Sequence, residues 1–347
     1  MAPSPPWPPL LEDLLQGRSL STEQATALMQ GWLNGAIEPV LTGALLAALR
    51  AKGVTGQELA AMAQVLRQST ALEGIRPALP LVDTCGTGGD GADSFNISTA
   101  VAFVAAACGA VVAKHGNRSA SGKVGSADVL ESLGVNLQAP RDQVIAALPV
   151  AGVTFLFAPG WHPGLAPLAP LRRSLGVRTV FNLLGPLVNP LLPQAQVVGV
   201  ARSDLLDPMA QALLHLGVER AVVVHGAGGL DEASLAGASD LRLLEHGVLR
   251  SDRLDPTGLG LQEAPISALA GGDLATNRAI LEAVLRGQGT PAQRDVVALN
   301  TALVLWAAGS AASIAAALDL AREALATGAG WQRLEALRAQ LPLAAAG

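Results

Sequence analysis

The feature that most restricts the fold is a block in which strand-like and helix-like runs alternate around glycines. Leu81 to Thr84 reads as a short apolar strand and runs into Asp83-Thr84-Cys85-Gly86-Thr87-Gly88-Gly89-Asp90-Gly91. An almost wholly apolar stretch from about Ser98 to Ala107 reads as a helix; Gly109 and a second strand, Ala110 to Ala113, follow. A strand, a helical crossover and another strand form a βαβ unit, whose strands run parallel. Val197 to Val200, a helix near Met209 to Leu216, Gly217 and Ala221 to Val224 repeat the plan.

Residues 1–75 have a different texture. Ser21-Thr22-Glu23-Gln24 and Thr55-Gly56-Gln57-Glu58 match capping boxes, with Leu20 placed as a hydrophobic staple. Leu59, Met62, Ala63 and Leu66 fall on one helical face. Pro77 and Pro80 mark a boundary. The segment 159–195, rich in Pro and Gly, is expected to cross back toward the helical region. The expected fold class is therefore α/β. A small all-helical domain (1–75, completed by part of 165–190) joins a larger α/β domain (80–347) with a mainly parallel sheet.

Composition removes several classes. A length of 347 residues suggests about two domains. Half the residues are hydrophobic but only 3% are aromatic, and tyrosine is absent, so Ala and Leu fill the core. A charged fraction of 15% argues against disorder. The net charge of −5, with lysine only at 52, 114 and 123, disfavours nucleic acid as a partner. Cys85 and Cys108 fit no disulfide framework or zinc pattern and read as buried thiols of a reducing, cytoplasmic compartment. The first positive residue is Arg18, which argues against a cleaved signal peptide. Val296 to Leu318 is uncharged and long enough to span a bilayer. It contains Asn300, Thr301, Gly309, Ser310 and Ser313, so a buried core helix is expected rather than a membrane partner.

The glycine loop formally contains a dinucleotide fingerprint at Gly86, Gly88 and Gly91. Two features oppose that reading. Ala92 to Ile97 separate the third glycine from the helix, and no acid lies between Asp93 and Asp128 to hold ribose hydroxyls. No Lys-Ser/Thr pair makes it a Walker loop. Glycines let backbone N–H groups approach phosphate, and Asn96-Ile97-Ser98-Thr99 places hydroxyls and free N–H groups where a helix begins. A plain glycine turn capped by Ser98 is the alternative.

The second strand leads into Lys114-His115-Gly116-Asn117-Arg118 and a Ser- and Gly-rich stretch to Ser126. Strand C-terminal ends face the ligand crevice of open α/β sheets, so a second anion-binding surface is expected beside the first; a solvated polar loop is the alternative. Asp231-Glu232 follows the strand at Ala221–Val224 and suits Mg2+, although an acidic pair is more often plain surface.

Together these blocks resemble the anthranilate phosphoribosyltransferase family. The resemblance is carried by GTGGDG (86–91), FNISTA (95–100), KHGNRS (114–119), GSADVLESLG (125–134), FAPGWHP (157–163), LRRSLGVRTVFNLLGPLVNP (171–190) and GLDE (229–232), and it extends to both termini. Some of these motifs are shared with pyrimidine nucleoside phosphorylases; the set in this order is specific.

The resemblance implies the two-domain fold and a homodimer associating through the small domains. The implied reaction passes a phosphoribosyl group from 5-phosphoribosyl 1-diphosphate to the amine of anthranilate, for tryptophan biosynthesis. It places Gly86, Gly89, Asp90, Ser94, Asn96, Ile97, Ser98 and Thr99 on the diphosphate sugar. Lys114, His115, Gly116, Asn117, Arg118, Ser119, Ala120, Ser121, Gly122 and Ser126 form the facing wall. Gly86, Asn117, His162, Arg172 and Gly185 line the anthranilate path, and Ser98, Asp231 and Glu232 hold Mg2+. His115 is the candidate proton relay, and no other residue is marked as catalytic.

Two places depart from the family pattern: the single residue Ser94, where Thr is frequent, and the segment Gly164-Leu165-Ala166, where Ala-Met-Lys is frequent. Arg172 can grip a carboxylate with paired hydrogen bonds, while Arg173 should point away. Three rivals stand beside this reading: a nucleoside phosphorylase, a nucleic-acid-binding relative without catalysis, and a dinucleotide-dependent dehydrogenase.

Overall fold

The structure, a computed structural model, describes residues 7–70, 76–118 and 124–343. It opens with four helices: α1 (Trp7–Leu15), α2 (Thr22–Leu33), α3 (Pro39–Lys52) and α4 (Gly56–Ser69). Both capping boxes form. The Ser21 hydroxyl accepts from the Gln24 N–H at 3.2 Å, while Gln24 accepts from the Ser21 N–H at 2.8 Å. At α4, Thr55 accepts from the Glu58 N–H at 3.2 Å and Glu58 accepts from the Thr55 N–H at 2.7 Å.

Glu58 does more than cap its helix. Its wholly buried carboxylate also accepts from the Leu20 N–H at 2.8 Å and pairs with Lys52 Nζ at 3.0 Å. One carboxylate thus ties the start of α2, the end of α3 and the start of α4 together.

The second layer is a seven-stranded sheet: β1 (Leu81–Gly86), β2 (Val111–Gly116), β3 (Val153–Phe157), β4 (Ala195–Gly199), β5 (Arg220–His225), β6 (Ser239–Glu245) and β7 (Val248–Leu254). The order is β3-β2-β1-β4-β5-β6-β7. The first five are parallel; β6 and β7 are added antiparallel at one edge. Side chains alternate between the faces. Val197, Val222 and Val224 join the core under α5 (Ile97–Ala107) and the C-terminal helices. Val198, Val200 and Val223 join the other core, which continues through helix Leu206–His215 into α1 to α4. The Pro- and Gly-rich segment does cross back. Leu168, Val180, Phe181, Leu184 and Leu187 are buried in that second core, with the Trp32 and Phe181 rings 5.4 Å apart.

Three elements differ from the sequence expectation. Strand β2 runs to Gly116 rather than Ala113, so Lys114 and His115 are strand residues, not loop residues. Pairing with β3 as far as Gly116↔Phe157 prolongs it. Helix α5 starts at Ile97, with Asn96 at the N-cap position. The uncharged stretch 296–318 is not one helix. It divides between Pro291–Ala307 and Ile314–Ala326, broken near Gly309, whose φ of 72° no helix accepts. Among the described residues no helix is long and apolar enough to cross a membrane.

Glu58→Ala should strand the Lys52 ammonium in a dry site. The expected loss is about 3 kcal/mol in urea denaturation, the usual cost of breaking a buried ion pair from one side. A loss below about 1 kcal/mol would mean that the pair is effectively solvated.

Candidate functional site

Strand order reverses at β1 and β4: β2 and β3 lie on one side, β5 on the other. Such a switch point opens a crevice at the strand C-terminal ends. Gly86 and Gly199 finish the two strands there and are register partners. Their bare backbones let the loop after β5 lie across them. A Cβ on Gly199 would come within 1.5 Å of the Asp231 carbonyl oxygen, and one on Gly86 within 2.1 Å of Asp231 Oδ2. The loop is held from behind as well. Asn300, on helix Pro291–Ala307, accepts from the Ala233 N–H at 2.8 Å and donates to its carbonyl at 2.9 Å. The polar residue that argued against a membrane span therefore pins the residue after the acidic doublet.

The crevice is a cavity of about 540 Å3. On one side is the turn 86–91, with Gly88, Gly89 and Gly91 all at positive φ. The Gly88 N–H donates to Asp231 Oδ2 at 2.6 Å. Asp90, Asp231 and Glu232 bring carboxylate oxygens within 4.8 Å of one another. Burial, then repulsion from Asp90, pushes Asp231 up to about 6. Burial and the charge of Asp231 raise Glu232 well above its ordinary value. Asp90 Oδ2 and Glu232 Oε2 are buried without hydrogen-bond partners. Three carboxylates this close, two of them with an unpartnered buried oxygen, fit a divalent cation such as Mg2+.

The facing wall is the end of β2. Lys114 is 2% exposed, and its Nζ donates to the Thr84 carbonyl at 2.6 Å and to Ser98 Oγ at 3.2 Å. Burial lowers its pKa, and the nearby Asp83, Asp231 and Glu232 oppose that shift. Asp83, wholly buried, accepts from the His115 N–H at 3.1 Å and from Asn189 Nδ2 at 2.9 Å, and burial pushes it up to about 6. His115 Nδ1 lies 3.1 Å from the Gly185 carbonyl, so Nδ1 carries the proton, and Nε2 has no partner. Burial, then the neighbouring His162, lowers its pKa to about 3, so the ring is neutral.

Most of the residues singled out in the sequence line this one cavity: Gly86, Gly89, Asp90, Ser94, Asn96, Ile97, Ser98, Lys114, His115, Gly116, Asn117, Arg118, Ser126, Arg172, Gly185, Asp231 and Glu232. Thr99 is fully buried beneath it, donating to Ser126 Oγ at 2.9 Å. His162 is buried behind His115, ring centroids 5.2 Å apart, and does not line the cavity. Ser119, Ala120, Ser121 and Gly122 lie outside the described residues. Arg118 is already paired with Asp128 and Glu131. Arg172 is half-buried above the Phe181 ring, 5.1 Å from its centroid, while Arg173 is exposed. Sequence reasoning missed the supporting groups Asp83 and Asn189, and the lining residues Arg178, Asn182 and Asn277. A carboxylate inside an apolar strand was a signal for Asp83; nothing local marks Arg178.

Residues 78–331 match the glycosyl transferase family, a/b domain, and residues 8–70 its helical bundle domain. Anthranilate phosphoribosyltransferase of Parasynechococcus marenigrum (strain WH8102) is 69% identical over 338 residues, covering 97% of each chain. That of Prochlorococcus marinus (strain MIT 9313) is 68% identical over 335 residues, 96% of this chain and 95% of its own. Among solved structures, anthranilate phosphoribosyltransferase from Thermus thermophilus superimposes with a TM-score of 0.87 at 43% identity, over 95% of this chain and 98% of that one. The Saccharomyces cerevisiae enzyme in complex with PRPP and Mg gives 0.86 at 26% identity, over 96% and 97%.

The two strand-end glycines should not be equivalent. In Gly199→Ala the new methyl meets backbone, so a loss of about 1–3 kcal/mol or more is expected in thermal unfolding. In Gly86→Ala it meets a carboxylate that can rotate, and the loss should be smaller. Wild-type stability in Gly199→Ala would mean that the 226–232 loop does not rest on the strand ends.

Proposed function

The chain belongs to the anthranilate phosphoribosyltransferases of the glycosyl transferase family, and we propose that it transfers the phosphoribosyl group of 5-phosphoribosyl 1-diphosphate to the amine of anthranilate, releasing pyrophosphate, in tryptophan biosynthesis. The carrying observation is the convergence, in one cavity, of a glycine turn rich in backbone donors, a buried lysine, a carboxylate trio and a half-buried arginine.

Each part has a task in this reading. The turn 86–91 and the start of α5 offer N–H groups and the Ser94 and Ser98 hydroxyls to the diphosphate sugar. Lys114 faces them as a cation already fixed by two hydrogen bonds, so little reorganisation is needed as charge builds on the leaving diphosphate. Asp231 and Glu232, with Ser98 and with Asp90 beside them, would hold Mg2+. When bound, that ion neutralises diphosphate oxygens as a Lewis acid.

Bond breaking leaves C1 of the ribose electron-poor and oxocarbenium-like. The aryl amine is uncharged and already nucleophilic, so attack needs positioning more than a base. His115 Nε2 could take the released proton. With its pKa lowered to about 3 it is a poor acceptor, which suits transfer to water after the C–N bond has formed. Arg172 would orient the anthranilate carboxylate with paired N–H groups, and Asn117 and Gly185 line the same side.

The finer setting is also proposed. Closure of the helical domain (1–75 with part of 165–190) over the α/β domain (80–347) would exclude water from the donor. The protein would act as a homodimer in the cytoplasm. An apolar patch on the helical domain supports the dimer: Ile37, Pro39, Val40, Pro167, Leu168 and Leu171 line one recess, and Val40 is 87% exposed.

Incubation with 5-phosphoribosyl 1-diphosphate, Mg2+ and anthranilate should quench anthranilate fluorescence; absence of turnover by folded protein would refute the reaction. In the same assay Arg172→Ala should raise the KM of anthranilate about ten-fold or more and leave that of the donor nearly unchanged. The opposite pattern would reverse the pocket assignment.

The half-saturating Mg2+ concentration should rise as the pH falls from about 7.5 to about 5.5, because a metal needs the deprotonated carboxylates. The sign follows from Asp231: a carboxyl raised to about 6 takes up its proton within that range and competes with the ion. A Mg2+ requirement independent of pH there would place the ion elsewhere.

A further inference from the structure

Arg178 is absorbed by none of the roles above, yet its guanidinium reaches the donor side of the cavity. It lies between the helices Ala169–Leu175 and Phe181–Leu184, in the segment that crosses back onto the helical domain. Its Nη2 donates to the Thr87 carbonyl. The guanidinium also lies flat against Gly89: a Cβ there would sit 2.2 Å from Nη1 and 2.5 Å from Cζ. The charges of Asp231 and Asp90 act on it.

The turn it touches has little else beneath it. A second cavity, about 210 Å3, lies behind the turn against Leu49, Arg50 and Ala201. Thr87, Gly88 and Gly89 line both spaces, so the turn is a thin wall between two voids. Glycines at positive φ have a wide conformational range when unsupported. The Thr87 N–H is tied to the Gly199 carbonyl at 2.9 Å and the Gly88 N–H to Asp231, but both ties come from the sheet side. Arg178 supplies the tie from the helical-domain side.

Resting on the reaction proposed above, we infer that Arg178 is a positioning residue for the diphosphate donor: it clamps the Thr87–Gly89 turn from the helical-domain side and joins that turn to the segment carrying Arg172. Donor loop and acceptor wall then keep one spacing, because both are fixed to the same stretch of chain. A planar fork is needed, since one N–H takes the carbonyl while the flat face covers Gly89.

Arg178→Gln and Arg178→Lys test this. Donor affinity is read by calorimetry with 5-phosphoribosyl 1-diphosphate and Mg2+ without anthranilate, and both KM values by the fluorescence assay. In Arg178→Gln the donor should bind about ten-fold or more weaker, while the anthranilate KM moves less than about two-fold. Arg178→Lys, which keeps the charge, should fall between wild type and Gln. Unchanged donor affinity in Arg178→Gln would overturn the clamp. So would a parallel rise of both KM values with a lowered melting temperature, the mark of a merely structural role; if the Gln variant does not fold, the Lys variant is judged by the same split. A wild-type protein that binds donor but transfers nothing to anthranilate would refute the reaction instead, and calorimetry would still read the clamp.

Discussion

The arrangement depends on backbone lying against backbone at the end of two neighbouring strands. The main chain at Asp231 rests on Gly199 and its carboxylate on Gly86, at separations no Cβ could share. That contact brings the carboxylates of the β5 loop to the glycine turn of β1, across the intervening strand β4. A larger residue at Gly199 would meet the main chain of Asp231, and one at Gly86 would first displace its carboxylate, so the acidic trio and the turn share one cavity only while both strand ends stay bare.

Burial then sets the electrostatics. Lys114, Asp83 and the acidic trio are taken out of water but not neutralised by close pairing with one another. Lys114, Asp83 and Asp231 are instead held by dipoles: the Thr84 carbonyl for Lys114, the Asn189 amide and the His115 N–H for Asp83, the Gly88 N–H for Asp231. Fixed dipoles do not reorient as a reaction redistributes charge, which is the condition under which electrostatic stabilisation is strongest. The raised values of Asp231 and Glu232 are the counterpart of that dryness: burial without positive charge holds back their ionisation.

What the sequence reveals, and what it hides, divides by range. The capping boxes at Ser21 and Thr55 and the apolar runs at 81–84 and 221–224 are local patterns, and they become helices and strands with ends shifted by a few residues. The glycine turn and the Asp-Glu doublet are legible as a candidate anion site and a candidate cation site because each has its chemistry in consecutive residues. That they face each other is legible only through the resemblance. Arg178 and Asn189 could not be placed, because their partners, Thr87 and Asp83, are about ninety and about a hundred residues away. Glu58 reads in the sequence as a cap only, since its contacts to Leu20 and Lys52 depend on how the helices pack. Strand β2 outruns its local pattern for the same reason: its last residues are held by β3 and by an aspartate on β1, not by their own propensity.

The amide of Asn300 has a consequence of its own. Helix Pro291–Ala307 is almost wholly interior, and interior helices ordinarily tolerate conservative swaps that preserve volume. This one grips the main chain of Ala233 on both its N–H and its carbonyl. A change that slides the helix by a fraction of an ångström is passed directly to two carboxylates one and two residues upstream. The site's mechanical tolerance is therefore borrowed from the hydrocarbon interior, and variation that would be silent in another interior helix is read out here as altered chemistry at the strand ends.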